Sequence, residues 1–149
     1  MDAVAALKAS PLLEGFTDTG LGIIAGICTV RQFPPQSPLF VEAMLSESMF
    51  IIAQGRVMLS IHGSQGESPM GELGPGDWLG ELSLISNAQR QCTATALAPV
   101  VALEIRQSDF QKLMSVKPQA CMKLLMSICT KFGEKVVENK DALKSLVTR

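Results

Sequence analysis

The sequence predicts a mainly β fold with flanking helices: many short strands that form a sandwich or barrel, N-terminal helices and a long C-terminal helix. Between residues 29 and 103, glycines and prolines cut the chain into short apolar or alternating pieces, which is typical of many short strands. After Pro118 the apolar residues recur at steps of three and four, which is typical of a helix. With 149 residues, 47% of them apolar, the chain suits a single domain over residues 1–149. The barrel is expected at about 29–106 and the C-terminal helices at about 108–148.

Helices are expected before the barrel. Ser10-Pro11 separates a short alanine-rich helix from a second helix that begins at Thr17. The threonine hydroxyl is a suitable N-cap, and Asp18 places a negative charge in the first turn. This second helix is expected to run to about Cys28.

Four segments are the clearest strand candidates: 49–53, 56–61, 91–97 and 100–105. The first two join across Gln54-Gly55, which is a suitable hairpin turn. In the third, the even-numbered side chains from Arg90 to Ala96 share one face, and small residues beside an inward arginine leave room for a ligand. Alternatively, Arg90 is a surface residue at the start of a strand, and the alanines fill a tapering barrel.

Two helices are predicted after the barrel. Ser108-Asp109 is a start signal for a helix over 110–116, and Pro118 opens the long final helix. A seam of heptad spacing with one polar break runs along that helix: Met122, Leu125, Cys129, Phe132, Val136, Asn139, Leu143 and Leu146. A second apolar stripe occupies only its first half: Cys121, Leu124 and Ile128.

The two stripes suggest that the first half of the final helix packs on the barrel while the seam pairs with a second copy of the chain. Alternatively, the helix folds back and buries both stripes against its own domain. Gly133 lies inside this helix, where glycine costs about 1 kcal/mol relative to alanine. It could therefore mark a hinge, a close helix crossing or a flexible end.

The segment Gly80-Glu81-Leu82-Ser83-Leu84, followed by Arg90-Gln91, has the features of a phosphate-binding cassette. Glycine allows close approach of the backbone to a ligand, and the N–H groups of the turn after it can cradle an anion. Glu81 would repel a phosphate, so its partner is a hydroxyl, whereas Arg90 offers a planar fork for phosphate oxygens. A sugar phosphate satisfies both side chains.

The spacing of these residues, with Arg90 nine positions after Glu81, resembles the cyclic-nucleotide-binding domain family in its catabolite-activator-protein-like sensor form. Upstream segments agree in order: Leu13-Glu14-Gly15-Phe16, then the apolar strand and turn at 48–57, then the segment 73–79 that enters the cassette. The resemblance runs from about Leu12 to the final helix. It implies an antiparallel jelly-roll (cupin-like) barrel with N-terminal helices and a long C-terminal helix.

The resemblance implies specific roles. Glu81 would bind the ribose 2′-hydroxyl and Arg90 the cyclic phosphate, with the backbone N–H groups of Leu82 and Ser83 completing the cradle. The implied ligand-binding set is Gly80, Glu81, Leu82, Ser83, Arg90 and Gln91. The family reads the base partly from the final helix, where the candidates are Thr130, Lys131 and Glu134.

The resemblance implies a free-standing regulatory module that senses a cyclic nucleotide, with cyclic AMP as the default ligand, and signals through its C-terminal helix to an unknown downstream protein. The chain departs from the family pattern at Gln89, where proline is usual, and at Gln91, where a small residue is usual. These departures leave an alternative open. A degenerate barrel that binds no nucleotide could serve as a dimerising or docking protein.

Other functions find little support in the sequence. The net charge of −1 weighs against DNA or an anionic membrane as a partner, and the chain stops at Arg149 without length for the DNA-binding module of related regulators. No catalytic motif is present, so we expect the protein not to be an enzyme. Four unclustered cysteines and one histidine, His62, argue against a metal site or other cofactor. Because the chain has no secretory signal and no long apolar run, we expect it in the cytoplasm.

Overall fold

A computed structural model of the protein describes residues 1–147, and within them the chain forms two four-stranded antiparallel sheets with helices at both ends. One sheet has the order β1-β8-β3-β6 and the other β2-β7-β4-β5. The strands are β1 (Cys28–Phe33), β2 (Pro38–Phe40), β3 (Ser48–Gln54), β4 (Val57–Gly63), β5 (Gly66–Leu73), β6 (Trp78–Leu79), β7 (Thr93–Ala96) and β8 (Val100–Arg106). This arrangement confirms the predicted fold class.

The helices precede and follow the strands. They are α1 (Ala3–Lys8), α2 (Asp18–Ala25), α3 (Gln107–Val116), α4 (Pro118–Glu138) and α5 (Lys140–Val147). Two short 3-10 helices lie at Pro11–Leu13 and Glu81–Leu84. None of the helices within residues 1–147 is long and apolar enough to cross a membrane.

Two apolar cores lie on opposite faces of the first sheet. On β3, Met49 and Ile51 belong to the core beneath the helices, whereas Phe50 and Ile52 belong to the core between the sheets. Because both faces of β3 are buried, its sequence is a continuous apolar run. The core between the sheets also contains small residues of the facing sheet, Ala94 and Ala96 of β7.

The second predicted helix and the third predicted strand are longer than the helix and strand in the structure. Helix α2 ends at Ala25 rather than near Cys28, because Cys28 already pairs with Ile105 in the β1–β8 ladder. Strand β7 begins at Thr93 rather than residue 91, so Arg90 lies in the segment before the strand. The Thr17 cap was predicted correctly, since its hydroxyl accepts from the Gly20 N–H at 3.1 Å.

The long final helix begins at Pro118 as predicted but ends at Glu138. Asn139 interrupts it: its backbone N–H and its side-chain Nδ2 both donate to the Lys135 carbonyl, and α5 then begins at Lys140. A single helix carrying the seam through both Leu143 and Leu146 is therefore wrong. The side chains of those two leucines lie outside the described residues.

Helix α4 shows the predicted division between its two stripes. The short stripe is buried against the domain: Cys121, Leu124 and Ile128. The seam is largely outward: Leu125 packs against the core, whereas Phe132 is 57% and Val136 41% exposed. The described residues of the domain therefore leave Phe132 and Val136 uncovered, contrary to the fold-back alternative. An added Cβ at Gly133 would meet nothing within 4 Å, so no close crossing occurs there in the described chain.

Candidate functional site

The candidate site begins at Gly80, which needs to be glycine for two reasons. Its φ of 75° lies in the left-handed region, and a Cβ there would overlap Arg90 Nη1 and lie 3.1 Å from the Ser48 carbonyl oxygen. The following turn is a 3-10 helix, Glu81–Leu84, in which the Ser83 N–H donates to the Gly80 carbonyl at 3.0 Å. The glycine thus places the turn directly against the arginine.

Arg90 is buried, with 6% of its surface exposed, and its guanidinium points into the domain. Nη1 donates to Ser83 Oγ at 3.0 Å, and Nη2 donates to the Ser48 carbonyl at 2.6 Å. The guanidinium carbon lies 4.1 Å from the centre of the Phe40 ring, a cation–π contact. These contacts exclude the alternative of a surface arginine at a strand start.

The Arg90 Nε atom is buried without a hydrogen-bond partner among the described residues. Burial lowers the pKa of the Arg90 guanidinium, and the nearby carboxylate of Glu104 opposes that shift. An unsatisfied donor on a buried cation is costly unless an acceptor reaches it. The Arg90 guanidinium therefore keeps one buried donor, Nε–H, that no described residue satisfies.

A second segment of the chain holds the Arg90 backbone in place. The Arg90 N–H donates to the Met44 carbonyl at 2.7 Å, and the Arg90 carbonyl accepts from the Ala43 N–H at 2.9 Å. Ser46 Oγ forms a short hydrogen bond with Ser83 Oγ, the same oxygen that accepts from Arg90. The segment 43–46 thus joins the arginine to the 3-10 turn.

The structure brings Gly80, Ser83 and Arg90 into contact, and it places the other predicted residues around them. Glu81 is half-buried at the start of the turn, and Leu82 is exposed. Gln91 is exposed, and its Nε2 donates to the Gln89 carbonyl at 3.2 Å. The Ser83 N–H is engaged within the turn, whereas the Ser83 side chain provides the contact with Arg90.

Sequence reasoning missed the residues that orient Arg90 from a distance along the chain. Phe40, Ser46 and Ser48 lie more than 40 positions before Arg90, and no local motif connects them to it. The only available signal was indirect: Ser48 opens an otherwise apolar strand, where a buried hydroxyl needs a partner.

The three candidates for base contact lie on α4 beside the N-terminal segment. Lys131 Nζ is 3.6 Å from a carboxylate oxygen of Glu14 and 3.6 Å from one of Glu134. The Thr130 hydroxyl donates to the Met126 carbonyl at 2.9 Å. All three candidates line a cleft of about 400 Å³ together with Pro11, Glu14 and Phe16, and no residue of the cassette lines it.

No group of three or more histidine, cysteine, aspartate or glutamate side chains among residues 1–147 is placed to hold a metal ion. The His62 side chain is 70% exposed, and its Nδ1 lies 3.2 Å from a Glu67 carboxylate oxygen near the β4–β5 turn. His62 is thus an exposed residue at the end of β4.

Comparison with known proteins gives a consistent family match. Residues 30–117 match the family described as the cyclic nucleotide-binding domain. The chain is 26% identical over 133 residues to the cyclic AMP receptor protein of Thermus thermophilus, covering 89% of this chain and 62% of that protein. The chain spans less than two thirds of the length of the curated relatives it matches.

Solved structures show the same fold. The catabolite activator protein of Thermus thermophilus superposes with a TM-score of 0.81 at 24% identity, covering 93% of this chain and 63% of that one. A cyclic nucleotide-binding domain from Methylobacillus flagellatus superposes with a TM-score of 0.82 at 17% identity, covering 96% of this chain and 81% of that one. The match extends through the barrel and the flanking helices.

Proposed function

Because the chain belongs to the cyclic nucleotide-binding domain family, we propose that it is a regulatory module without enzymatic activity that binds cyclic AMP at its phosphate-binding cassette and signals through its C-terminal helix. The observation that carries this proposal is the buried Arg90 guanidinium with its unpartnered Nε–H. A structural arginine would satisfy all its donors within the protein. A phosphate oxygen supplies the missing acceptor.

The residues around Arg90 fit a sugar phosphate. The phosphate would accept from Arg90 Nε and from the backbone N–H of Leu82 in the first turn of the 3-10 helix, where N–H groups lack partners within the helix. The Glu81 carboxylate would accept a hydrogen bond from the ribose 2′-hydroxyl. Gly80 permits the close approach of the backbone, and Gln91, at the surface, would contribute from the rim.

Cyclic AMP is proposed as the ligand because the Thermus relative carries the name cyclic AMP receptor protein. The structure gives no contact that selects the base, since Lys131 pairs with both Glu14 and Glu134 in a cleft that no cassette residue lines. Cyclic GMP and cyclic di-GMP are therefore tested beside cyclic AMP. A cyclic nucleotide made in the cell would reach the module in the cytoplasm, where we place it.

The output is proposed to pass from the cassette to α4. Trp78 and Leu79 form β6 immediately before Gly80, and Lys135 Nζ of α4 lies 5.0 Å from the centre of the Trp78 ring. The exposed residues of the seam would pair with a second copy of the chain, because an apolar stripe of this kind is unusual on a monomer. The proposed assembly is therefore a homodimer that presents α4 to an unknown downstream protein.

Thermal unfolding with and without nucleotide tests the proposal. Ligand at about 100 times its dissociation constant adds about 2.7 kcal/mol to the free energy of unfolding. For a domain of this size the melting temperature then rises by about 5–10 °C. No rise with any of the three nucleotides, by melting and by calorimetry, would favour the degenerate docking module instead.

Two substitutions locate the ligand. Arg90→Ala should abolish most of the rise because it removes the charge partner of a desolvated phosphate, at a cost of about 2–5 kcal/mol in binding. Glu81→Ala should cost about 1.5–3 kcal/mol, the range for a hydrogen bond to a charged group. Arg56→Ala is the matched control, since Arg56 forms an exposed ion pair with Glu72 away from the cassette. Equal, small effects of both cassette variants would place the ligand elsewhere.

A further inference from the structure

A buried carboxylate, that of Glu104, lies close to the candidate site. Glu104 is 6% exposed, on the same face of β8 as Ala102, which belongs to the core between the sheets. It pairs in register with Phe50 of β3. Burying a charge at the end of an apolar face is unfavourable unless the charge has partners. The partners of Glu104 therefore show how its charge is stabilised at this buried position.

The two carboxylate oxygens of Glu104 face different surroundings. Oε1 lies 3.0 Å from Arg31 Nη1 and 3.5 Å from Arg106 Nε, and both arginine side chains are substantially exposed. Oε2 accepts a hydrogen bond from the Ser48 hydroxyl at 2.8 Å. One oxygen is thus bound to solvated cations, and the other is directed towards Ser48.

Ser48 connects Glu104 to the cassette arginine. Its hydroxyl donates to Glu104, while its backbone carbonyl accepts from Arg90 Nη2 at 2.6 Å. Glu104 is also the carboxylate that most strongly favours the charged form of Arg90, ahead of Glu47. The buried carboxylate and the buried guanidinium therefore lie on either side of one residue.

A bound phosphate would compete with Glu104 for Arg90. The charge of Glu104 favours the charged form of the guanidinium. A cyclic phosphate carries one negative charge, so on binding it would take over from Glu104 as the principal counter-charge of Arg90.

We propose that Glu104 is a positioning residue that stabilises Arg90 in the ligand-free state and thereby lowers the affinity for the nucleotide phosphate. This inference rests on the proposed function. A carboxylate attracts the guanidinium and repels the phosphate, so it favours the free state over the complex. The affinity of the site is therefore set partly from β8, outside the cassette.

Glu104→Gln tests the proposal because glutamine keeps the size of the side chain and removes its charge. The variant should melt at a lower temperature than wild type without nucleotide and bind cyclic AMP about three- to tenfold more tightly by calorimetry. A purely structural role would lower the melting temperature and leave the dissociation constant unchanged. An unchanged or weaker affinity overturns the proposal.

Two further variants give the sign of the effect independently. Arg31→Gln removes a cation from Glu104 at a partly exposed position, so the carboxylate acts more strongly on the cassette. It should bind cyclic AMP about two- to threefold more weakly, and tighter binding would overturn the proposal. Glu72→Gln removes a carboxylate from an exposed ion pair elsewhere and should leave the dissociation constant unchanged. Glu72 therefore serves as the control for charge removal in general.

A ligand-free measurement separates this inference from the proposed function. The melting temperatures of Glu104→Gln, Arg90→Gln and the double variant form a thermodynamic cycle that needs no nucleotide. The loss in the double variant should be smaller than the sum of the two single losses, because each variant removes one partner of the same charge pair. Additive losses would show that Glu104 does not act on Arg90. Absence of nucleotide binding by wild type, with a coupled cycle, would reject the proposed function and the effect on affinity, and would leave only the stabilisation of Arg90 by Glu104.

Discussion

Replacement of Gly80 by alanine tests the geometry of the cassette without removing any charged or polar side chain. The new methyl group would occupy the space of Arg90 Nη1 and approach the Ser48 carbonyl to 3.1 Å. The arginine can move more easily than the strand backbone, so we expect the guanidinium to shift and its bond to Ser83 Oγ to break.

The loss of stability expected for Gly80→Ala has two parts. An alanine held at a φ of 75° costs about 1–2 kcal/mol relative to glycine. Loss of one hydrogen bond from the charged guanidinium adds about 1.5–3 kcal/mol. The free energy of unfolding should therefore fall by about 2.5–5 kcal/mol, and the melting temperature by about 5–20 °C.

Gly15→Ala is the matched control. Gly15 has a φ of 83°, and an added Cβ there meets nothing within 4 Å, so this variant carries the backbone cost without the overlap. We expect Gly80→Ala to lose clearly more stability than Gly15→Ala in chemical unfolding, and to lose cyclic AMP binding, while Gly15→Ala keeps it. Equal losses in the two variants would refute the view that Arg90 fills the space beside Gly80.

Four further expectations concern the helices and the cysteines. Placing glutamate at both Phe132 and Val136 should give a monomer that still binds cyclic AMP; light scattering that finds wild type near the 16 kDa of one chain would reject the dimer. Gly133→Ala should raise the melting temperature by about 2–4 °C because alanine favours the helix, and a fall would reveal a partner packed at that position. Burial raises the pKa of the Cys28 thiol to about 12, so a thiol reagent at pH 8 should label exposed Cys129 and spare Cys28 in the folded protein. Since unfolded cysteine ionises at lower pH than folded Cys28, that residue's contribution to stability should decline as the pH rises above about 9.

The parts of the fold that sequence predicted are those whose cause is local. The apolar run of β3, the Thr17 cap and the proline at the start of α4 each carry their own signal within a few residues. Strand β5 was not predicted because it lies at the sheet edge, is almost wholly exposed and contains Pro69, so it has no alternating burial to read. Its position depends on pairing with β4 instead.

The candidate site, like the fold, was predicted from sequence only where its cause is local. The spacing from Gly80 through Glu81 to Arg90 indicated a phosphate cradle, and the structure brings glycine and arginine into contact. The partners of the arginine come from other strands, and sequence spacing does not reveal them. Ser48 and Glu104 are separated by 56 positions yet joined by a hydrogen bond, and only the β3–β8 register places them together.

The way Arg90 is held indicates where a ligand would act. One of the two acceptors of the Arg90 guanidinium is the Ser48 carbonyl at the start of β3, a strand that is paired with β8 and β6 and buried on both faces. The other is Ser83 Oγ in the short 3-10 turn, which lies outside both sheets and is held by the Ser46 hydroxyl and by the burial of Ser83 and Leu84. We expect a phosphate that pulls on Arg90 to displace the turn rather than the strand, because the turn has no sheet pairing to break. Because the two-residue strand β6 leads directly into that turn and its Trp78 contacts Lys135 of α4, displacement of the turn would be transmitted to the helix.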